Sequence, residues 1–415
     1  MQAACPAPDR RPQLIEAGTP AFVRTSLAMF AGGFATFAML YATQPVLPKL
    51  AAEFAIAPAQ ASLSVSIGTA ALAAMLIPAS VLSDRIGRRW VMRLSLALAT
   101  LAAAASAIVT DFTQMLVLRM LLGAVLAGLP ASALAYLGEE VAPGTLGRSV
   151  GLYIGGNALG GMTGRFLVGW LTDLSSWRIA FAATGVLGLI ATIVFWLCLP
   201  ESRHFRASRS GPLQLLRNIG QLFADTGLRS LFVIGFLLMG TFTSLYNYLG
   251  FRLHLPPFSL GQTAIGGVFL LYMVGSFSSA WTGQLVDRLG RRQVLWVMIL
   301  GCGIGLVVTL ADNLAAVLAG VAIFTFGYFG AHTTASGWVS RRAAERRALA
   351  AAVYLSSYYL GGSVIGTLSG FAWQHDAWPG VATAIAVCVA LALVAAWHLR
   401  HLLPVGSAVT VTSAA

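Results

Sequence analysis

One short charged turn occurs twice in this chain. Ser83-Asp84-Arg85-Ile86-Gly87-Arg88-Arg89 and Val286-Asp287-Arg288-Leu289-Gly290-Arg291-Arg292 lie 203 residues apart, each set between long apolar runs. An acid, a glycine and three arginines in such a place mark a sharp reversal at a polar boundary, because neither flanking run tolerates charge in its interior. A reversal repeated at half the chain length implies a duplicated bundle of helices.

The solvent for most of the chain is lipid. With 58% of its 415 residues hydrophobic, 10% charged and a mean hydropathy of +0.80, it has too little polar surface to cover a soluble globule. A run of about 20 apolar residues crosses a hydrocarbon core of roughly 30 Å at 1.5 Å per residue. Twelve candidate runs are legible, the first at 25–47 and the last at 381–399. The expected fold class is therefore an all-α membrane protein with twelve transmembrane helices in two pseudo-symmetric six-helix halves.

A net charge of +12 raises the possibility of a nucleic-acid partner, since basic proteins neutralise phosphates. The positions of the charges argue against it. With both termini in the cytoplasm, 21 of the 26 basic residues fall in cytoplasmic segments, which is the asymmetry that sets membrane topology. Cys5, Cys198, Cys302 and Cys388 lack metal-ligand spacing and read as small core residues. The stretch before Arg24 has no apolar centre of the signal-peptide kind, so the first span is expected to be its own insertion signal. Gly301, Gly303 and Gly305 alternate inside an apolar span, and Lys49 is the only lysine; neither a dinucleotide fingerprint nor a phosphate loop is present. The expectation is a non-enzyme with no cofactor and no metal.

The polar segment 201–228, with Ser208, Ser210, Gly211 and Pro212, falls near the midpoint and reads as a cytoplasmic linker. It divides a six-helix half at 25–200 from another at 229–400, with tails at 1–24 and 401–415. Further repeats agree with this division. Tyr153-Ile154-Gly155-Gly156-Asn157-Ala158-Leu159-Gly160 reads like Tyr359-Leu360-Gly361-Gly362-Ser363-Val364-Ile365-Gly366, and Leu40-Tyr41 like Leu245-Tyr246.

On these residues the chain resembles the major facilitator superfamily, and within it the bacterial drug:proton antiporters and arabinose efflux permease-like inner-membrane carriers. Gly283 through Arg292 match the turn signature Gly-x-x-x-Asp-Arg-x-Gly-Arg-Arg in full, while the first copy has Ser80 at its leading position. Arg119 and Gly123 match the fourth-helix signature. The fifth-helix antiporter signature is approached at Gly156-Asn157-Ala158-Leu159-Gly160-Gly161, with Asn157 where the signature has proline. The segment from His332 to Trp338 resembles the narrower efflux group. The resemblance implies the major facilitator fold and a conformational latch at Asp84, Arg85, Gly87, Arg88 and Arg89 and at Asp287, Arg288, Gly290, Arg291 and Arg292. The alternative is a loop that only anchors topology.

Chemistry inside the spans is sparse. Gly151, Gly155, Gly156 and Gly160, with Gly361 and Gly362 in the second half, are expected at close helix contacts. Arg119 and Arg165 are costly at depth, about 2.5 to 3.5 kcal/mol each at mid-membrane, and every acid falls in a tail, turn or helix end. Each arginine either snorkels, pairs with carbonyls, or serves a cavity. His332 is the one imidazole well inside a span, so Arg119, Arg165 and His332 are the candidates for coupling, His332 as proton carrier; alternatively it bonds to a neighbouring helix. The resemblance implies that the first, fourth, seventh and tenth helices line a cavity, where this sequence offers Tyr41, Gln44, Arg119, Tyr246, Asn247, His332 and Thr333.

The expected activity is secondary transport by alternating access, most simply proton-coupled efflux of a small organic molecule across the bacterial inner membrane. A uniporter or an importer of a small polar or anionic solute is the alternative. A helical membrane enzyme or sensor would need an acid/base cluster, metal ligands or a soluble domain, and none is legible. Expected partners are a small-molecule substrate, protons and the bilayer, without nucleic acid, and the chain is expected to act as a monomer.

Overall fold

The computed structural model describes residues 14–205, 207, 212–343 and 346–401. Cys5, Ser208, Ser210, Gly211 and most of both expected tails lie outside the described residues. Among the described residues, ten helical segments are long and apolar enough to span a membrane. One of them, within Arg347–His401, is two helices joined where Asp376 and Ala377 leave helical geometry. Pro143–Leu174, 32 residues carrying nine glycines, is a further helix of spanning length. Together these make twelve.

In chain order the first half holds α1 (Pro20–Leu40, continued by Leu47–Glu53), α2 (Pro58–Ile86), α3 (Arg88–Ala105), α4 (Phe112–Leu126 and Gly128–Glu140), α5 (Pro143–Leu174) and α6 (Trp177–Cys198). The second holds α7 (Thr226–His254), α8 (Gln262–Val268 and Tyr272–Leu289), α9 (Arg291–Val308), α10 (Leu314–Arg342), and α11 and α12 on either side of the 376–377 kink. The linker contains an amphipathic helix, Pro212–Ala224. The first span starts earlier than the hydropathy suggested, at Pro20, so Arg24 sits in its second turn and donates to the Leu197 carbonyl at 3.0 Å. Ile15 pairs with the α4–α5 loop through Glu140 and Ala142.

Proline shapes the segment that matters most. Pro45 and Pro48 have no N–H to give to the preceding turn, so α1 stops at Leu40, passes through the 3₁₀ turn Gln44–Val46 and restarts at Leu47. The break leaves the carbonyls of Met39 and Leu40 at a helix end and presents Tyr41 and Gln44 at the boundary between the halves. The turns themselves need glycine: Gly87 and Gly290 have φ of +103° and +81°, a region closed to most side chains.

Within each half, helices meet at glycines. A Cβ on Gly156 or Gly160 of α5 would stand 2.4 or 2.0 Å from the carbonyl oxygens of Phe30 and Phe34 on α1. Gly361 of α11 meets the Phe236 carbonyl of α7 in the equivalent way, and Gly362 meets Met239 and Thr243. Gly151 and Gly155, expected in the same seam, have nothing within 4 Å. They lie on an exposed face of α5, turned away from α1, whereas Tyr153 and Gly156 beside them are buried against it.

The two halves join at the end remote from the charged turns. There α5 packs on Gln262–Val268 of α8 and leaves most of Tyr272–Leu289 untouched. Asp173, near the end of α5, accepts from the backbone N–H groups of Gln262 at 3.0 Å and Thr263 at 2.6 Å. Tyr248 of α7 hydrogen-bonds Ser62 of α2 at 3.0 Å, and Gly370 of α11 lies against Ala59.

Candidate functional site

A hydrogen-bonded chain crosses the boundary between the halves. Arg165 donates its Nε–H to Gln44 Oε1 at 2.6 Å, and Gln44 Nε2 donates to Asn247 Oδ1 at 2.7 Å. A guanidinium only donates, so it sets the polarity: Gln44 must present its oxygen to Arg165 and its amide nitrogen to Asn247. Asn247 Nδ2 is then the terminal donor. It is buried without an acceptor, a cost of about 1–3 kcal/mol when nothing fills the place.

Arg165 is 3% exposed and walled by aromatic rings. Its Cζ lies 4.1 Å from the ring centre of Tyr41, 4.9 Å from Tyr272 and 5.2 Å from Phe269. Tyr41 comes from the first half, the other two from α8 where its 3₁₀ turn Phe269–Leu271 breaks the helix. The ring faces offset the loss of water by cation–π attraction. Arg165 also donates to the Gly161 carbonyl one turn back, which folds the guanidinium toward the turn-bearing end. The Tyr272 hydroxyl is buried and has no partner.

Tyr246, also on α7, bonds Thr325 of α10 at 2.8 Å and packs on Phe269 and Tyr272. His332 and Thr333 are half-buried on α10. His332 Nδ1 is 3.0 Å from the Tyr354 hydroxyl, and its ring packs on Tyr358 at 4.6 Å. Thr333 donates to Ser279 of α8 at 3.1 Å. Their partners all lie within the second half, so the geometry joins neither residue to the Arg165 chain.

Arg119 does not reach the cavity expected of it. It is buried inside the first half and donates to the carbonyls of Ser64 at 3.0 Å, Met39 at 2.8 Å and Leu40. Two of these, Met39 and Leu40, are the last carbonyls of α1, where the helix dipole also favours a cation. Gly123, four residues on, allows the α2 backbone to approach: a Cβ there would stand 1.9 Å from the Gly68 carbonyl oxygen. The arginine-and-glycine pair thus seats α4 against α1 and α2.

At the first turn Arg88 bonds Asp84 and Ser83, and reaches Glu139 on α4 at 2.9 Å. Arg89 reaches Glu201 at 3.2 Å. In this conformation those bonds stay inside the first half and its junction with the linker. Asp287 at the second turn makes no ion pair among the described residues. Also at that end, Arg342 donates to Asp225, the residue capping α7, at 2.6 Å. Cys198, Cys302 and Cys388 are free thiols, and among the described residues no group of His, Cys, Asp and Glu could hold a metal ion.

Phe269, Tyr272, Tyr358 and Asp173 were not singled out from sequence. The first two sit on α8, outside the four helices taken to line the cavity. Tyr358 directly precedes the repeat that begins at Tyr359, and that adjacency is the sequence signal that points to it.

The Major Facilitator Superfamily profile matches residues 29–366. The chain is 43% identical over 390 residues to the uncharacterized MFS-type transporter YybF of Bacillus subtilis (strain 168), covering 94% of this chain and 95% of that protein. It is likewise 43% identical over 392 residues to the inner membrane transport protein YnfM of Escherichia coli (strain K12), covering 94% and 93%. In fold it is similar to a bacterial homologue of the human lysosomal transporter Spinster in an inward-facing, occupied conformation, with a TM-score of 0.75 at 15% identity, covering 92% of this chain and 97% of that one. It is also similar to the nucleoside transporter NupG, with a TM-score of 0.71 at 13% identity, covering 92% and 98%.

Proposed function

The chain belongs to the Major Facilitator Superfamily and is a multi-pass membrane transporter of that type; from that premise we propose that it is a secondary active carrier of the bacterial inner membrane, exporting a small organic molecule in exchange for protons. The observation that carries this reading is the lopsided junction of the halves. The hydrogen bonds described between them, Gln44–Asn247, Ser62–Tyr248 and Asp173 to Gln262 and Thr263, all lie at or toward the end remote from the turns. From there α5 and α8 diverge.

A bundle closed at one end is one access state of an alternating-access carrier. The charge asymmetry puts the turns, linker and termini in the cytoplasm, so this state opens inward, where an exporter takes up its cargo. Halves 25–200 and 229–400 rock about the linker 201–228, and the turns bias the equilibrium between states. His332 is the candidate proton carrier. A second reading, uncoupled uniport or import, draws support from the lack of any Asp or Glu in the core of the junction among the described residues; Asp173 lies at its rim.

The test is flux of a panel of labelled organic compounds into inverted membrane vesicles, with and without an imposed proton gradient. Gradient-driven accumulation of at least one compound is expected. Equilibration that ignores the gradient favours uniport, and the absence of any chain-dependent flux overturns the carrier reading.

A further inference from the structure

Arg165 is a buried cation on the boundary between the halves, and the acceptors it is given are neutral: the Gln44 amide oxygen and the Gly161 carbonyl. The acid nearest along its helix, Asp173, is taken up by the backbone amides that start α8. Close by are donors with nothing to donate to, the Tyr272 hydroxyl and Asn247 Nδ2. A cation with surplus donors calls for a group that is anionic and accepts only, which among common organic functions is a carboxylate. The surrounding rings of Tyr41, Phe269 and Tyr272 are suited to an apolar or aromatic body.

We propose that the central site takes an organic anion, an aromatic or apolar carboxylate whose carboxyl group is received by the Arg165 guanidinium. This rests on the carrier reading above and names its substrate class. The bond to Gly161 turns the guanidinium toward the open end, from which such a ligand arrives. A carboxylate brings a full negative charge and can take two parallel N–H bonds from a guanidinium, where the Gln44 amide oxygen takes one, so it displaces Gln44. Gln44 is also the link to Asn247 in the other half, and ligand binding therefore acts directly on the bond that holds the halves together. An unneutralised guanidinium equally disfavours lipophilic cations.

The experiment compares three probes with one aromatic body: 2-naphthoate, 2-naphthamide and 2-naphthylmethylammonium. Each is titrated into the purified full-length chain in detergent, and binding is read as thermal stabilisation. Naphthoate is expected to bind at least about tenfold more tightly than the amide, with the ammonium weakest. Arg165→Gln should abolish the preference and Arg165→Lys retain part of it. Gln44→Leu, which keeps the cation and removes its neutral acceptor, should tighten naphthoate binding, and it serves as the deciding variant if Arg165→Gln does not purify as a folded species. Equal or better binding of the amide or ammonium, no stabilisation by naphthoate, or a preference that survives Arg165→Gln overturns the proposal. Naphthoate binding with no chain-dependent flux of any compound in vesicles sinks the carrier reading alone, whereas flux without any carboxylate preference sinks the anion site alone.

Discussion

Gln44 and Asn247 are separated by 203 residues, the spacing of the two charged turns, and they hydrogen-bond to each other across the halves at 2.7 Å. The bond joins the break of α1 to the matching region of α7, two residues off the displacement of 205 that pairs Tyr41 with Tyr246, so it marks where equivalent segments of the two halves meet. Arg165 breaks the symmetry. At the α5-to-α11 displacement of 206, its counterpart is Phe371, an uncharged ring that is 61% exposed. One half therefore supplies charge to the junction and the other supplies most of the aromatic surface.

Truncating the pair should loosen the closed end. Asn247→Ala leaves the buried Gln44 amide without its acceptor, a penalty of about 1–3 kcal/mol, or roughly 5- to 150-fold in the closed-to-open ratio. Thiol labelling of a cysteine placed at Ala59 should accelerate accordingly. Unchanged labelling would mean that the bond contributes nothing to closure.

Asp173 should act at the same gate from the opposite edge. Its carboxylate meets the N-terminal amides of α8 from the other half, an arrangement worth about 0.3–2 kcal/mol. Asp173→Ala is expected to open the remote end more than Asp173→Asn, which keeps one acceptor. Spin-label distances between α5 and α8 would test the ranking, and equal distances in both variants and wild type would sink it.

The two turns should be unequal. Asp84 shares Arg88 with Glu139, whereas Asp287 has no ion pair among the described residues. Asp84→Asn is expected to lower flux severalfold and Asp287→Asn less, with stability changing by no more than about 1 kcal/mol in either. Flux at matched expression decides; wild-type rates in both would leave the turns as topological anchors.

Glycines of one helix should separate by face. Gly156→Ala and Gly160→Ala drive a methyl into the α1 backbone and should cost about 1–3 kcal/mol each. Gly151→Ala meets open space and should be neutral or stabilising by up to about 1 kcal/mol. Thermal unfolding of the three purified variants is the measurement, and a melting loss for Gly151→Ala as large as for Gly160→Ala would contradict the packing.

Asp225 should give the junction of linker and α7 a pH dependence. Burial acts to raise its carboxyl, but the hydrogen bond from Arg342 and that from the Leu228 amide outweigh it and hold the group below the usual carboxylate range. A depressed folded value means that the stabilisation is complete above the unfolded value of 3.8 and is lost as pH falls through the folded one. As pH falls below about 4, the wild type should therefore lose stability faster than Asp225→Asn. Parallel curves would remove Asp225 from the balance.

The linear order of residues was enough to determine the class of solvent, the helical content, the division into two halves and the two glycine-dependent turns. Apolar run length and a repeated charged reversal are local properties, fixed wherever the helices pack. The family resemblance led to Gln44, Asn247, Tyr41 and Tyr246, by implying that the first and seventh helices line the cavity. Which arginine reaches the junction was decided only by tertiary structure. Arg119 and Arg165 carry the same apparent penalty in a span, and either could be relieved by a carbonyl, a ring or a ligand. The break of α1 before Pro45 placed its last two carbonyls beside Arg119, while the close approach of α5 to α8 placed Tyr272 and Phe269 around Arg165. Those partners come from distant parts of the chain, and the helix rotations that present them follow from packing, which no local pattern encodes.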